Sequence, residues 1–127
     1  MTLTRILYAE DEPLVQTIAK VALVMVGGFD LRICSSGAQA LEDVKAFAPQ
    51  LILLDVVMPG MDGPATLARL RQDPATAAIP VVFLTANSDP SDIANYIALG
   101  ALDVIAKPYN PMTLADQVRE VWAKYTP

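Results

Sequence analysis

An α/β fold, a doubly wound parallel sheet of five strands, is predicted for this chain by three observations. Five short aliphatic runs alternate with longer segments of helical periodicity, the pattern of repeated β-α-β units. One of those runs, Leu51-Ile52-Leu53-Leu54, is apolar without alternation, as a strand covered on both faces requires. Finally, 54% of the 127 residues are hydrophobic and only 18% are charged. Soluble domains typically carry roughly 25% charged residues, so there is ample material for a core on each face of a sheet.

The elements follow in order. Arg5 to Ala9 reads as the first strand, ending abruptly in Glu10-Asp11-Glu12. Pro13 suits the first turn of a helix, where its missing N–H costs nothing. Leu14, Ile18, Val21, Ala22 and Met25 then recur at helical spacing, and Gly27-Gly28 stops that helix. Phe29 to Cys34 is expected to be the second strand. Ser36 with Gln39 resembles a capping box, opening a helix through Ala40, Leu41, Val44 and Phe47 that ends at Pro49. The third strand closes at Asp55, and Met58-Pro59-Gly60-Met61-Asp62-Gly63 is loop chemistry. A helix from about Pro64 to Arg71 precedes the fourth strand, Val81 to Leu84, which ends at Thr85. Asp89-Pro90 begins a helix that runs to Leu99 and is stopped by Gly100. Asp103 to Ala106 is the fifth strand, ending at Lys107-Pro108. Asn110-Pro111 opens the last helix, with Leu114, Val118, Val121 and Trp122 as its apolar stripe. No repeat, linker or low-complexity segment interrupts the chain, so residues 1–127 are expected to form a single domain.

Composition excludes several functions. Lys plus Arg is 9 against 14 for Asp plus Glu, a net charge of −5 with no clustered basic footprint for nucleic acid. With no His, the chain cannot itself donate a phosphoryl group from imidazole. Its single cysteine, Cys34, rules out an internal disulfide framework and reads as core. The longest aliphatic stretch, Val21 to Val26, is far too short to span a membrane. No signal-peptide pattern opens the chain, so a cytoplasmic protein is expected.

The informative feature is where polarity interrupts the strands. Glu10-Asp11, Asp55, Thr85 and Lys107 each stand immediately after an aliphatic run, at its carboxyl end. In open α/β sheets ligands bind outside those ends, where the strand order reverses. With order 2-1-3-4-5, strands one and three flank that point and bring Glu10, Asp11 and Asp55 together. Two unit charges ~4 Å apart repel by about 4 kcal/mol at an effective dielectric of ~20. An oxygen-liganded hard cation removes that strain, and Mg²⁺ suits few carboxylates plus phosphate oxygens. Thr85 adds a hydroxyl donor and Lys107 a cation for phosphate. Taken singly, the acidic pair is as well explained by a helix cap, Asp55 less well so, Thr85 is uninformative and Lys107 reads as a solvated charge. Together on one sheet edge they form a phosphoryl-transfer constellation, working by positioning and electrostatics.

The motifs carrying this constellation are Ala9-Glu10-Asp11-Glu12-Pro13, Leu53 to Gly63, Leu84-Thr85-Ala86 and Ala106-Lys107-Pro108. In that order they resemble the receiver domains of two-component response regulators, over essentially the whole chain from Arg5 to Trp122. The resemblance implies a flavodoxin-like fold of five βα units. It implies that Asp55 is the phosphoryl acceptor, forming an acyl phosphate. Asp11, Asp55 and the Val57 carbonyl would bind Mg²⁺, with Glu10 helping to place the metal. Thr85 would bond a phosphoryl oxygen, Lys107 would pair with the phosphoryl charge, and the Lys107-Pro108 bond would be cis. Many members carry an aromatic residue where this chain has Val104, so the output switch is expected to run through the backbone near Thr85 and the segment Asp92 to Leu99. Val57 and Asn87 stand where the family tunes dephosphorylation, and neither offers an acid or base, so slow loss of phosphate is expected.

The implied partners are a histidine kinase or phosphotransfer protein and a downstream protein target, with no direct nucleic-acid or membrane contact. Such a chain is a signalling phosphoacceptor rather than an enzyme with an external substrate. Since little follows Tyr125, a receiver domain without an output domain of its own is expected, either stand-alone or excised from a longer protein. Between Pro13 and Gly28 the only charge is Lys20, so Leu23 or Val24 left exposed would offer a weak homodimer contact. A flavodoxin-like electron carrier is disfavoured because Glu10-Asp11-Glu12 would repel a flavin phosphate. An aspartyl phosphatase would carry a D-x-D nucleophile after strand one, which is absent, and a binding-only relative would have lost Asp55, Thr85 or Lys107.

Overall fold

In the computed structural model, which describes residues 2–125, five strands form one parallel sheet: β1 (Arg5–Ala9), β2 (Asp30–Cys34), β3 (Leu51–Asp55), β4 (Val81–Thr85) and β5 (Asp103–Ala106). Their order is β2-β1-β3-β4-β5, with every neighbouring pair parallel. Helices α1 (Pro13–Lys20), α2 (Gly37–Phe47), α3 (Gly63–Gln72), α4 (Pro90–Ala98) and α5 (Leu114–Tyr125) connect and cover them. The expected topology is therefore present.

Strand alternation divides the core in two. Ile6, Tyr8, Leu51, Leu53, Val82 and Leu84 pack on one side against Ala19, Ala22, Leu23, Leu114, Val118 and Trp122. Leu7, Ala9, Ile52, Leu54, Val81 and Phe83 pack on the other against Ala40, Val44, Leu67 and Leu70. Phe83 also meets the Tyr96 ring of α4 edge-on at 5.4 Å. Cys34 is buried, as expected, and burial with the neighbouring Asp43 carboxylate pushes its thiol up to about 12, which makes it inert at neutral pH.

Helix ends obey their local chemistry. Ser36 Oγ accepts from Gln39 N at 3.0 Å, while Gln39 Oε1 accepts from Ser35 N, one residue earlier than a standard capping box. Asp62 Oδ1 accepts from Ala65 N at the start of α3.

Three expectations are corrected. The first helix is α-helical only to Lys20 and continues as a π-helical segment, Val21–Val26. The wider turn, closed by Gly27 N on Ala22 O, shifts the phase of the apolar stripe. Leu23, four residues after the buried Ala19, is buried, whereas Leu14 in the first turn of α1 and Met25 in the π-helical segment, both expected to face inward, are 71% and 79% exposed. Phe29 lies outside β2 because its N–H is committed to Leu23 O, and Arg119 covers its ring. The last helix begins regularly at Leu114, not at Pro111. Asn110 first closes a turn, its Oδ1 accepting from Met112 N and its carbonyl from Thr113 and Leu114 N–H.

Candidate functional site

The carboxyl ends of β1, β3, β4 and β5 converge on one edge, and each delivers one or more of the expected polar residues. Glu10, just past β1, is fully buried. Its N–H bonds Cys34 O, and its carbonyl accepts from Gln16 Nε2, which ties the β1 exit to α1. Asp55 closes β3 with only 6% exposure, and Thr85 closes β4 with 4%. Lys107 follows β5 with its N–H on Thr85 O, and the Lys107-Pro108 bond is cis.

A close approach fixes the acceptor loop. The N–H of Gly63 bonds Val56 O, and a Cβ on Gly63 would lie 2.6 Å from Asp55 O and 2.9 Å from Val56 Cα. Backbone atoms cannot yield cheaply there, so Gly63→Ala is expected to destabilise the fold by about 1–3 kcal/mol. Urea denaturation of the variant checks this, and an unchanged midpoint would contradict it.

Lys107 Nζ donates to Glu10 Oε1 at 2.9 Å and to Asp55 Oδ2 at 3.2 Å, bridging two buried carboxylates. Burial, then the Glu10 charge, pushes the Asp55 carboxyl up from 3.8 to about 6, while Lys107 pulls it down. Burial pulls the Lys107 ammonium down, but Glu10 and Asp55 outweigh that and leave it raised. Oxygens of Glu10, Asp11 and Asp55 lie within 4.8 Å of one another. Three carboxylates against one ammonium leave an excess of negative charge on hard oxygen donors, a set that fits a divalent cation such as Mg²⁺.

Above this cluster opens a cavity of about 430 Å³, lined by Asp11, Asp55, Thr85 and Lys107 together with Val57 and Met58 of the acceptor loop. Val57 is 76% exposed at its rim and Met58 is buried beneath it. All six expected site residues thus meet on this edge, and of the two buried carboxylates only Asp55 lines the cavity. Sequence reasoning missed Tyr8 and Tyr109. The phenol of Tyr8 reaches Glu10 Oε1 at 3.4 Å from within β1. The available signal was a hydroxyl in the otherwise aliphatic run Ile6 to Ala9, two positions before Glu10 and hence on the same face.

Comparison with known proteins agrees with this geometry. The response regulator receiver domain family matches residues 6–119. The chain belongs to that family. As a receiver domain it is 37% identical over 117 residues to the DNA-binding response regulator MtrA of Mycolicibacterium smegmatis, covering 91% of this chain and 49% of that protein. It therefore spans about half the length of that relative. Among solved structures, the signal receiver domain of a signal transduction histidine kinase from Syntrophus aciditrophicus is 33% identical with a TM-score of 0.81, covering 97% of this chain and 92% of that one. A response regulator from Desulfuromonas acetoxidans is 28% identical with a TM-score of 0.83, covering 95% and 98%. This receiver domain serves two-component signalling, in which phosphotransfer to an aspartate is the general function. No helix among the described residues is long and apolar enough to cross a membrane.

Proposed function

We propose that Asp55 is the phosphoryl acceptor of this receiver domain, taking the group from a phosphohistidine on a histidine kinase or phosphotransfer protein. The observation carrying this reading is that Asp55, alone of the two buried carboxylates bridged by Lys107, opens onto the cavity. In the transfer an Asp55 carboxylate oxygen bonds phosphorus while the donor's nitrogen–phosphorus bond breaks, leaving neutral imidazole on the donor once a proton is taken up. The Lys107 ammonium, already 3.2 Å from Asp55 Oδ2, pairs with the phosphoryl charge. Thr85, whose Oγ1 now accepts from Asn87 N, turns its hydroxyl proton to a phosphoryl oxygen.

Glu10, Asp11, Asp55 and the Val57 carbonyl would hold Mg²⁺, which supplies neutralisation of the phosphoryl oxygens when bound. Val57 and Asn87 carry no acid or base to orient a hydrolytic water, so the acyl phosphate is lost slowly. Output passes through the segment around α4 to a protein target in the cytoplasm. The exposed apolar residues Leu14, Val24 and Met25 would serve a weak homodimer contact.

Intact-mass spectrometry after incubation with a small phosphoramidate checks the reading. One phosphoryl adduct is expected with Mg²⁺ and none with chelator, decaying over minutes or longer. An adduct indifferent to chelator, or one lost in seconds, would contradict it.

A further inference from the structure

A buried tyrosine, Tyr8, and a partly buried one, Tyr109, stand behind the site, and the chemistry above uses neither. Tyr8 is fully buried in β1, between residues that are otherwise aliphatic. Its hydroxyl lies 3.4 Å from Glu10 Oε1, well beyond the ~2.7–2.8 Å typical of O–H···O bonds. Tyr109 follows Lys107-Pro108, and its hydroxyl, sealed from solvent, interacts with the Tyr8 phenol without making a well-formed hydrogen bond to any described residue. Buried hydroxyls are normally satisfied, and an exception calls for a reason. Phenylalanine would pack at either place without leaving a donor short. Two hydroxyls beside one carboxylate, neither well bonded to it, point to a second state in which the nearer one is used.

Glu10 identifies that state. It is fully buried, and its Oε1 is held chiefly by Lys107 Nζ at 2.9 Å. Among the described residues its Oε2 accepts a backbone N–H, from Glu12 at 3.2 Å. On the reading that Asp55 is phosphorylated, the Lys107 ammonium moves to the phosphoryl oxygens. Oε1 of a buried carboxylate then loses its charged donor, and even with Mg²⁺ held at the site a buried oxygen short of a donor opposes the move. Tyr8, on the same face of β1 two residues earlier, is the donor within reach.

We infer that Tyr8 is a reserve hydrogen-bond donor that closes on Glu10 Oε1 as Lys107 leaves for the phosphoryl group, with the Tyr109 hydroxyl behind it. Tyr8 is thus a positioning residue, acting on the reaction through Glu10 and Lys107. The length of its present bond is part of the device: Oε1 is already occupied by Lys107, and the phenol closes only when that place is vacated.

The experiment compares wild type, Tyr8→Phe and Tyr109→Phe, each alone and in a Lys107→Ala background. The rate of phosphoryl uptake from a small phosphoramidate is read by intact mass, and the affinity for the phosphoryl mimic beryllium fluoride by fluorine NMR. Thermal melts establish that each isosteric variant is folded. Tyr8→Phe is expected to slow uptake and weaken mimic binding by about tenfold, the worth of one hydrogen bond to a charged group. Tyr109→Phe acts in the same direction but by less than about threefold, since its hydroxyl acts on Glu10 only through Tyr8. With Lys107 already removed, Tyr8→Phe changes neither quantity further, the non-additivity of groups acting as one unit.

A Tyr8→Phe protein that matches wild type overturns the inference and leaves Asp55 as acceptor. So does an equal loss with and without Lys107, which would mark a purely structural role. A wild-type protein that takes up no phosphoryl group overturns the reading of Asp55 and this inference with it.

Discussion

Asp55→Asn is expected to stabilise the metal-free protein at pH 7 by about 2–3 kcal/mol while removing its acceptor. The Asp55 carboxyl is raised from 3.8 to about 6 by burial and by Glu10, and one pH unit is worth about 1.4 kcal/mol. A folded-state value above the unfolded one means that the fold binds the proton more tightly than the unfolded chain does. The corresponding stability is fully present below about 4 and is lost as pH rises through about 6. In chelator, wild type therefore loses stability between about pH 4 and pH 7 relative to Asp55→Asn, which has no such titration. Urea denaturation of both proteins across that range checks this, and the difference between them isolates Asp55 from every carboxylate they share. Equal stability at pH 7 would show that the charge of Asp55 is not strained in the fold.

Lys107→Ala acts in the opposite sense. The lysine is the cation on both Glu10 and Asp55, whose side chains are 0% and 9% exposed. Removing one member of a buried pair leaves an uncompensated charge and typically costs about 3–5 kcal/mol. Here protonation of Asp55 limits the loss, so about 2–4 kcal/mol is expected at pH 7 in chelator. Acidification to pH 5 recovers part of it, because the proton then replaces the lysine's charge at Asp55. Mg²⁺ added at pH 7 is expected to raise the melting temperature of Lys107→Ala more than that of wild type. A variant within about 0.5 kcal/mol of wild type, the range of an ordinary surface change, would mean that the bridge contributes nothing to the fold.

These two effects locate what was legible in the sequence. The sheet could be read because aliphatic runs covered on both faces leave no ambiguity of period, and β3 and β4 are buried at every position. The site could be read because Glu10, Asp55, Thr85 and Lys107 are polar residues at the ends of apolar strands, and a parallel sheet places all such ends on one edge. What escaped was set by packing rather than by pattern. The π-helical segment Val21–Val26 has no distinguishing composition, and within it Leu23 is buried while Met25 faces outward. The start of α5 was displaced by a turn whose bonds come from Asn110. Tyr8 reads in the sequence only as part of the first strand, since the weight of its hydroxyl depends on Glu10 being buried beside it. The bridging of Glu10 and Asp55 by one lysine, 97 and 52 residues away along the chain, is likewise a product of the fold.

The central claim is that one carboxylate, Asp55, accepts the phosphoryl group. Wild type and Asp55→Asn should be incubated with a small phosphoramidate and Mg²⁺, and the adduct located by fragment mass spectrometry after hydride trapping of the acyl phosphate. A single adduct at Asp55 in wild type, and none on the variant, is the expected result. An adduct that persists in Asp55→Asn, or that maps to Glu10, Asp11 or a hydroxyl residue, would contradict the assignment.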